Sequence, residues 1–109
     1  MIGELEAREL LQVRREELEA LSALSEEART AVALDQQSVG RLSRMDALQT
    51  QAMNEATERK RRADLVRIER AFARLRDGEY GYCEDCGAEI AEGRLRADPA
   101  AERCIRCAA

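Results

Sequence analysis

Apolar residues recur at helical spacing over two long stretches of the chain. In the first, Leu11, Leu18, Ser25 and Val32 repeat every seven residues, and Leu21 and Ala28 fill the interleaved steps. Leu10, Leu24 and Ala31 widen this stripe. Alternating three- and four-residue steps mark one face of a helix, whereas a strand alternates in twos. No Pro or Gly interrupts Glu4 to Leu34, and the intervening residues are strong helix formers. Arg14 falls on one seam position, so the pattern is that of a tolerant coiled coil. In the second stretch, about Met45 to Arg76, one stripe runs through Met45, Leu48, Ala52, Ala56, Ala63 and Val66. Leu65, Ile68, Phe72 and Leu75 add a heavier patch at its C-terminal end.

The pattern breaks between them. Asp35-Gln36-Gln37-Ser38-Val39-Gly40 holds the only glycine between Glu4 and Asp77, beside residues whose side chains bond nearby backbone N–H groups. Ser43, followed by Asp46 and Gln49, reads as a cap and acidic first turn for the next helix. The chain is therefore predicted to be mostly α, with two helices of about 30 residues folded into an antiparallel coiled-coil hairpin of roughly 45 Å. Residues 1–76 form this hairpin, with its tip at about 35–47, and 77–109 form a second, smaller domain. The apolar residues concentrate near 65–75, so the tip is expected to be the mobile end. A thin hairpin buries less surface than a bundle of the same size. Its shape suggests a probe with functional residues at the tip, and dimerisation is the competing explanation.

Composition narrows the function. Three aromatics (Phe72, Tyr80 and Tyr82) and no Trp leave little material for a core around a substrate pocket. There is no His, which removes the commonest general base, and Lys60 is the only lysine. The expectation is a non-enzyme. The start, Met1-Ile2-Gly3-Glu4-Leu5-Glu6, is acidic and unlike an export signal, and no apolar run approaches the roughly 18 residues of a membrane span. A soluble cytoplasmic protein without membrane contact is expected.

Charge is unevenly placed. The chain has a formal net charge of −4, yet residues 59–76 carry eight bases and two acids. A basic run can be a nucleic-acid footprint. Here the acidic overall balance favours pairing with the acidic first helix or with an acidic protein partner. Sequence-specific DNA binding is not expected.

Cys83-Glu84-Asp85-Cys86 and Cys104-Ile105-Arg106-Cys107 give C-x2-C-x17-C-x2-C. Each pair sits on a tight turn that aims two thiolates at one point, and the spacing suits one structural Zn²⁺ with four thiolate ligands. Such a site has no open position for catalysis. A segment of about 30 residues buries too little apolar surface to fold alone, so the metal would supply most of its stability. Disulfides, a redox C-x-x-C and an iron–sulfur cluster fit less well, lacking respectively an export signal, a βαβ context and the usual spacing.

The run Gly78-Glu79-Tyr80-Gly81-Tyr82-Cys83-Glu84-Asp85-Cys86-Gly87-Ala88-Glu89-Ile90, then Arg94-Leu95-Arg96-Ala97-Asp98-Pro99 and the closing Cys104-Ile105-Arg106-Cys107, resembles the signature of the DksA/TraR family of bacterial zinc-finger proteins. The likeness covers about residues 68–107, and a preceding helical hairpin is also a family feature. This resemblance implies a non-enzymatic transcription regulator that binds RNA polymerase, inserts its coiled-coil tip through the secondary channel and alters initiation, often with ppGpp. On that basis Asp35, Arg41, Ser43, Arg44, Asp46 and Ala47 are candidates for the tip near the polymerase active site. Arg59, Lys60, Arg61, Arg62, Arg67 and Arg70 are candidates for a basic face against polymerase.

Two departures from the family pattern stand out. Its Asp-x-x-Asp-x-Ala tip is replaced by Ser43-Arg44-Met45-Asp46-Ala47-Leu48, which offers one acid and a displaced alanine. A basic residue before the linker proline and a basic helix beyond the last cysteine mark longer members, whereas here Asp98 precedes Pro99 and Ala109 is the last residue. A TraR-like mode independent of ppGpp is therefore in view. The expected protein is monomeric, with ppGpp as a candidate co-regulator. A zinc-ribbon helical adaptor acting through its coiled coil is the alternative, and direct nucleic-acid binding through the basic run is the third reading.

Overall fold

The computed structural model describes residues 2–36 and 44–108, with side-chain surroundings for 2–28 and 45–108. Helix α1 spans Glu4–Gln36, α2 spans Arg44–Asp77, and a short α3 spans Glu92–Ala97. Both long helices extend one or two residues beyond the boundaries expected from sequence. Of the expected tip at about 35–47, residues 37–43 lie outside the described residues, and with them the candidates Arg41 and Ser43. Asp35 and Gln36 are helical in α1, and residues 44–47 are helical in α2. Among the described residues the only β pairing is an isolated antiparallel bridge between Tyr82 and Glu89. No helix among them is long and apolar enough to cross a membrane.

The end of α2 follows from its sequence. Gly78, at φ 74°, reverses the chain in the left-handed region that favours glycine. Its N–H reaches the Leu75 carbonyl at 3.3 Å, and the Glu79 N–H reaches the Arg74 carbonyl at 2.8 Å. These are the paired bonds of a Schellman cap. Arg74 and Arg76 in the last turn, and Asp46 in the first, complement the helix dipole.

By compactness the chain divides into two units, Met1–Glu16 with Asp64–Ala109, and Glu17–Ala63. In the first, α1 and α2 pack antiparallel beneath the C-terminal segment. Leu11, Ile68, Ala71, Leu75, Tyr80, Ile90, Leu95, Ala100 and Ala101 form its buried core. Arg15 sits half-buried on the seam because its guanidinium lies 4.8 Å from the Phe72 ring centroid and bonds Glu69 at 2.9 Å. Stacking and pairing let an arginine stem fill a seam position that an isolated charge could not.

In the second unit the sequence-predicted stripes need correcting. Leu18 is buried, and Ser22 and Ser25 are half-buried, so the interleaved line of α1 runs through Arg15 and Ser22. Leu21, Leu24 and Ala28 are exposed, as is Arg14. On α2 the whole stripe traced from Met45 to Val66 faces solvent, with Met45 74% and Leu48 64% exposed. The seam instead carries Ala47, Asn54, Glu58 and Arg61. These positions share the phase of Leu65, Ile68 and Leu75, whose larger burial decides which face of the helix turns inward.

Candidate metal centre

The four cysteines are brought together by two knuckles. In the first, the Cys83 N–H bonds the Ala88 carbonyl at 2.8 Å and the Gly87 N–H returns to the Cys83 carbonyl at 2.9 Å. Gly87, at φ 73°, makes that return possible. In the second, the N–H groups of Cys107 and Ala108 both reach the Cys104 carbonyl, at 3.1 and 2.9 Å. A backbone bond, Glu84 N–H to the Glu102 carbonyl at 2.9 Å, ties the first knuckle to the approach of the second.

All four sulfurs lie within 4.8 Å of one another. The Cys86 and Cys104 sulfurs are 3.7 Å apart. That is far beyond the about 2.05 Å of a disulfide. It matches the about 3.8 Å edge of a tetrahedron of thiolates held about 2.3 Å from one zinc ion. The donor set therefore fits the metal, with Cys83 buried and Cys86, the most open, at the surface.

Electrostatics point the same way. Backbone N–H groups of Cys104 and Cys86 hold the Cys83 thiol down to about 6. Cys104 is also lowered, chiefly by the Cys107 backbone. The neighbouring Cys104, Cys83 and Cys86 sulfurs push Cys107 up to about 12. Cys86 is raised as well, a backbone bond from Ala88 being outweighed by the Cys104 and Cys83 sulfurs. Four sulfurs at this spacing repel as thiolates, and a bound divalent cation supplies the charge that removes the conflict.

A second layer anchors the knuckles to α2. Arg74 bonds Glu84 at 3.4 Å and the Ala101 carbonyl at 3.2 Å. Arg67 bonds Asp98 at 2.7 Å and Asp64 at 3.4 Å. Tyr80 donates to the Pro99 carbonyl at 2.7 Å. Burial pushes that phenol up to about 12. The sequence reading overlooked Arg74, Glu84 and Glu102. Basic residues in the last turn before an acid-bearing knuckle were the available signal.

The other candidate residues are spread out. Asp35 lies in α1, Arg44 opens α2, Asp46 is exposed in its first turn, and Ala47 is half-buried. Arg59 and Lys60 are exposed. Arg61 turns inward to Glu58 at 3.3 Å and the Leu21 carbonyl at 3.5 Å, and Arg62 stays exposed with Glu58 at 3.8 Å. Arg70 faces Glu102 at 3.8 Å. Among the described residues Arg61, Arg62, Arg67, Arg70 and Arg74 meet acids of α2 and of the C-terminal segment.

Helical packing and a converged four-cysteine site define a hairpin protein with a structural zinc finger. Residues 78–109 match the family model of the prokaryotic dksA/traR C4-type zinc finger, and this segment is a finger of that kind. The chain is 36% identical over 69 residues to the RNA polymerase-binding transcription factor DksA of Escherichia coli (strain K12), covering 63% of this chain and 44% of that protein. A DksA of Haemophilus influenzae is 42% identical over 43 residues, 39% of this chain and 30% of its own length. The chain thus spans less than half of these relatives. In fold it is similar to the transcription factor DksA2 from Pseudomonas aeruginosa, with a TM-score of 0.82 at 23% identity over 96% of this chain and 79% of that one.

Proposed function

We propose that this protein is a non-enzymatic, cytoplasmic transcription regulator that binds RNA polymerase as a monomer. In this reading the hairpin end enters the secondary channel and modulates initiation. The observation that carries it is the 36% identity over 69 residues to relatives named for polymerase binding. The hairpin supplies the means. Asp46 is an exposed acid in the first turn of α2, which also exposes Met45, Leu48 and Met53. Of the basic candidates, Arg59 and Lys60 are exposed to an acidic partner surface, whereas Arg61, Arg62, Arg67 and Arg70 lie beside carboxylates of this chain.

The same pairing bears on ppGpp. A cleft of about 320 Å³ is lined by Arg67, Arg94, Ala101, Glu102, Arg103 and Ala108. Its three arginines are engaged within the chain, Arg67 by Asp98, Arg94 by the Arg103 carbonyl and Arg103 by Asp85. Regulation that does not need ppGpp follows in this reading, and output with and without it should differ by less than about twofold, under RT ln 2 in free energy.

Core polymerase pull-down and transcription from an rRNA-type promoter test the proposal. Asp46→Asn should keep polymerase binding and weaken the transcriptional effect. Unchanged output removes Asp46 from the mechanism, and absence of polymerase binding by the parent chain removes the proposal. The adaptor alternative draws on the exposed Met45 and Leu48, and predicts a concentration-dependent dimer in sedimentation without polymerase affinity. Direct nucleic-acid binding predicts affinity that falls steeply with salt. The pairing of Arg61, Arg67, Arg70 and Arg74 with acids of this chain speaks against it.

A further inference from the structure

Arg74 is the most enclosed cation described in the chain, with its side chain 11% exposed. It sits in the last turn of α2, and its carbonyl accepts the Schellman bond that ends the helix. Its guanidinium reaches both halves of the metal centre. Nη1 donates to Glu84, which follows Cys83, and Nη2 donates to the carbonyl of Ala101, on the approach to Cys104. Nη1 also lies 3.8 Å from Glu102, whose side chain is 16% exposed. Glu102 Oε1 is buried with no hydrogen-bond partner, so its charge depends on Arg74 and on the more exposed Arg70 at the same distance. Arg74 thus links the two knuckles to each other and to the helix, whereas the exposed Arg103–Asp85 pair at 3.3 Å links only the knuckles.

We propose that Arg74 is a positioning residue of the metal site, setting how tightly zinc is held without being a ligand. Among the described residues one backbone bond, between Glu84 and Glu102, joins the two knuckles, and both acids would repel if Arg74 were absent. Arg74 therefore lowers the cost of bringing the cysteine pairs together, which is part of the binding free energy of the ion. Partners behind the ligands commonly change metal affinity by about 10- to 100-fold, and Arg74 belongs in that range.

Zinc affinity of the full chain, measured by competition with a chromophoric chelator, tests this directly. Arg74→Gln should weaken zinc by at least about tenfold. Arg76→Gln, which removes an exposed charge from the same helical turn, should change it less than about twofold by the modest worth of an exposed charge. Arg74→Lys keeps the charge but loses the two-pronged reach, and should fall between. Cobalt-loaded Arg74→Gln should keep the visible absorption of a four-thiolate tetrahedron, because no ligand has been removed. Combining Arg74→Gln with Glu84→Gln should cost little beyond Arg74→Gln alone. If Arg74→Gln lowers the helicity of the zinc-loaded chain, Arg74→Lys is the variant read. Wild-type affinity in the variant read, or full additivity with Glu84→Gln, overturns the proposal.

Discussion

In the unit made of Met1–Glu16 and Asp64–Ala109, large apolar side chains fill the helical seam and a four-cysteine centre closes the fold. In the unit Glu17–Ala63, the corresponding seam holds Leu18 beside Ser22, Ser25, Asn54, Glu58 and Arg61, while Met45, Leu48 and Met53 are exposed. The same two helices run through both. The first unit is built to be stable, because burial of Leu, Ile and Ala together with a metal cross-link outweighs the entropy of ordering the chain. The second has little apolar burial among its described residues and places its apolar surface where a partner could use it. A partly buried Glu58–Arg61 pair adds little net stability, since desolvation offsets its attraction.

The sharpest way to break this comparison is at the metal. Cys104→Ser, or removal of zinc by a chelator, should unfold the C-terminal segment and remove most of its dispersed amide resonances, because four ligands hold a segment with little core of its own. Persistence of those resonances would make the first unit independent of its metal. Next in size is a pair of truncations. Ile68→Ala should cost about 2–5 kcal/mol in denaturant unfolding, as for other buried aliphatic side chains. Leu48→Ala should stay within about 0.5 kcal/mol, as exposed substitutions do. Equal costs would erase the distinction between the units.

The polar seam can be sharpened by a double replacement. Glu58→Leu with Arg61→Leu removes both charges and should leave stability unchanged or raise it by about 1–4 kcal/mol, whereas Glu58→Leu alone strands the inward Arg61 and should destabilise. Tyr80→Phe should cost about 1–3 kcal/mol by leaving the Pro99 carbonyl unpaired. Its pH signature has a definite sign. The folded phenol, raised to about 12, keeps its proton while an unfolded tyrosine near the usual 10 loses it. Tyr80 therefore contributes fully below pH 10, and this contribution fades as pH rises from 10 towards 12. The thermal midpoint of the parent chain should fall across that window by more than that of Tyr80→Phe.

Legibility in the sequence followed the same division. The cysteine spacing located the metal centre to the residue, because ligand identity and loop length leave few alternatives. Leu11, Leu18, Ile68 and Leu75 marked the seam correctly, being large apolar residues that the fold buries. The unit Glu17–Ala63 misled for the same reason. Periodicity assigns apolar residues to the inside, so Met45, Leu48 and Ala52 were placed on the seam that Asn54, Glu58 and Arg61 occupy. A helix that exposes its apolar residues, as the proposed contact surface does, breaks the rule that burial and hydrophobicity coincide. Arg15 was hidden for another reason, since only the structure brings Phe72 and Glu69 beneath it. The internal pairing of the basic run with Asp98, Glu102 and Glu84 was equally out of reach, because it depends on how the C-terminal segment folds back on α2.

Amide hydrogen exchange on the zinc-loaded chain, alone and with core RNA polymerase, tests the proposed division of labour most directly. Residues 44–63 should exchange faster than the helical core around Ile68 in the free chain, and should gain at least about tenfold protection on adding polymerase, equivalent to about 1.4 kcal/mol. Fast exchange at 44–63 that polymerase leaves unchanged, with protection gained only within 64–108, would contradict it.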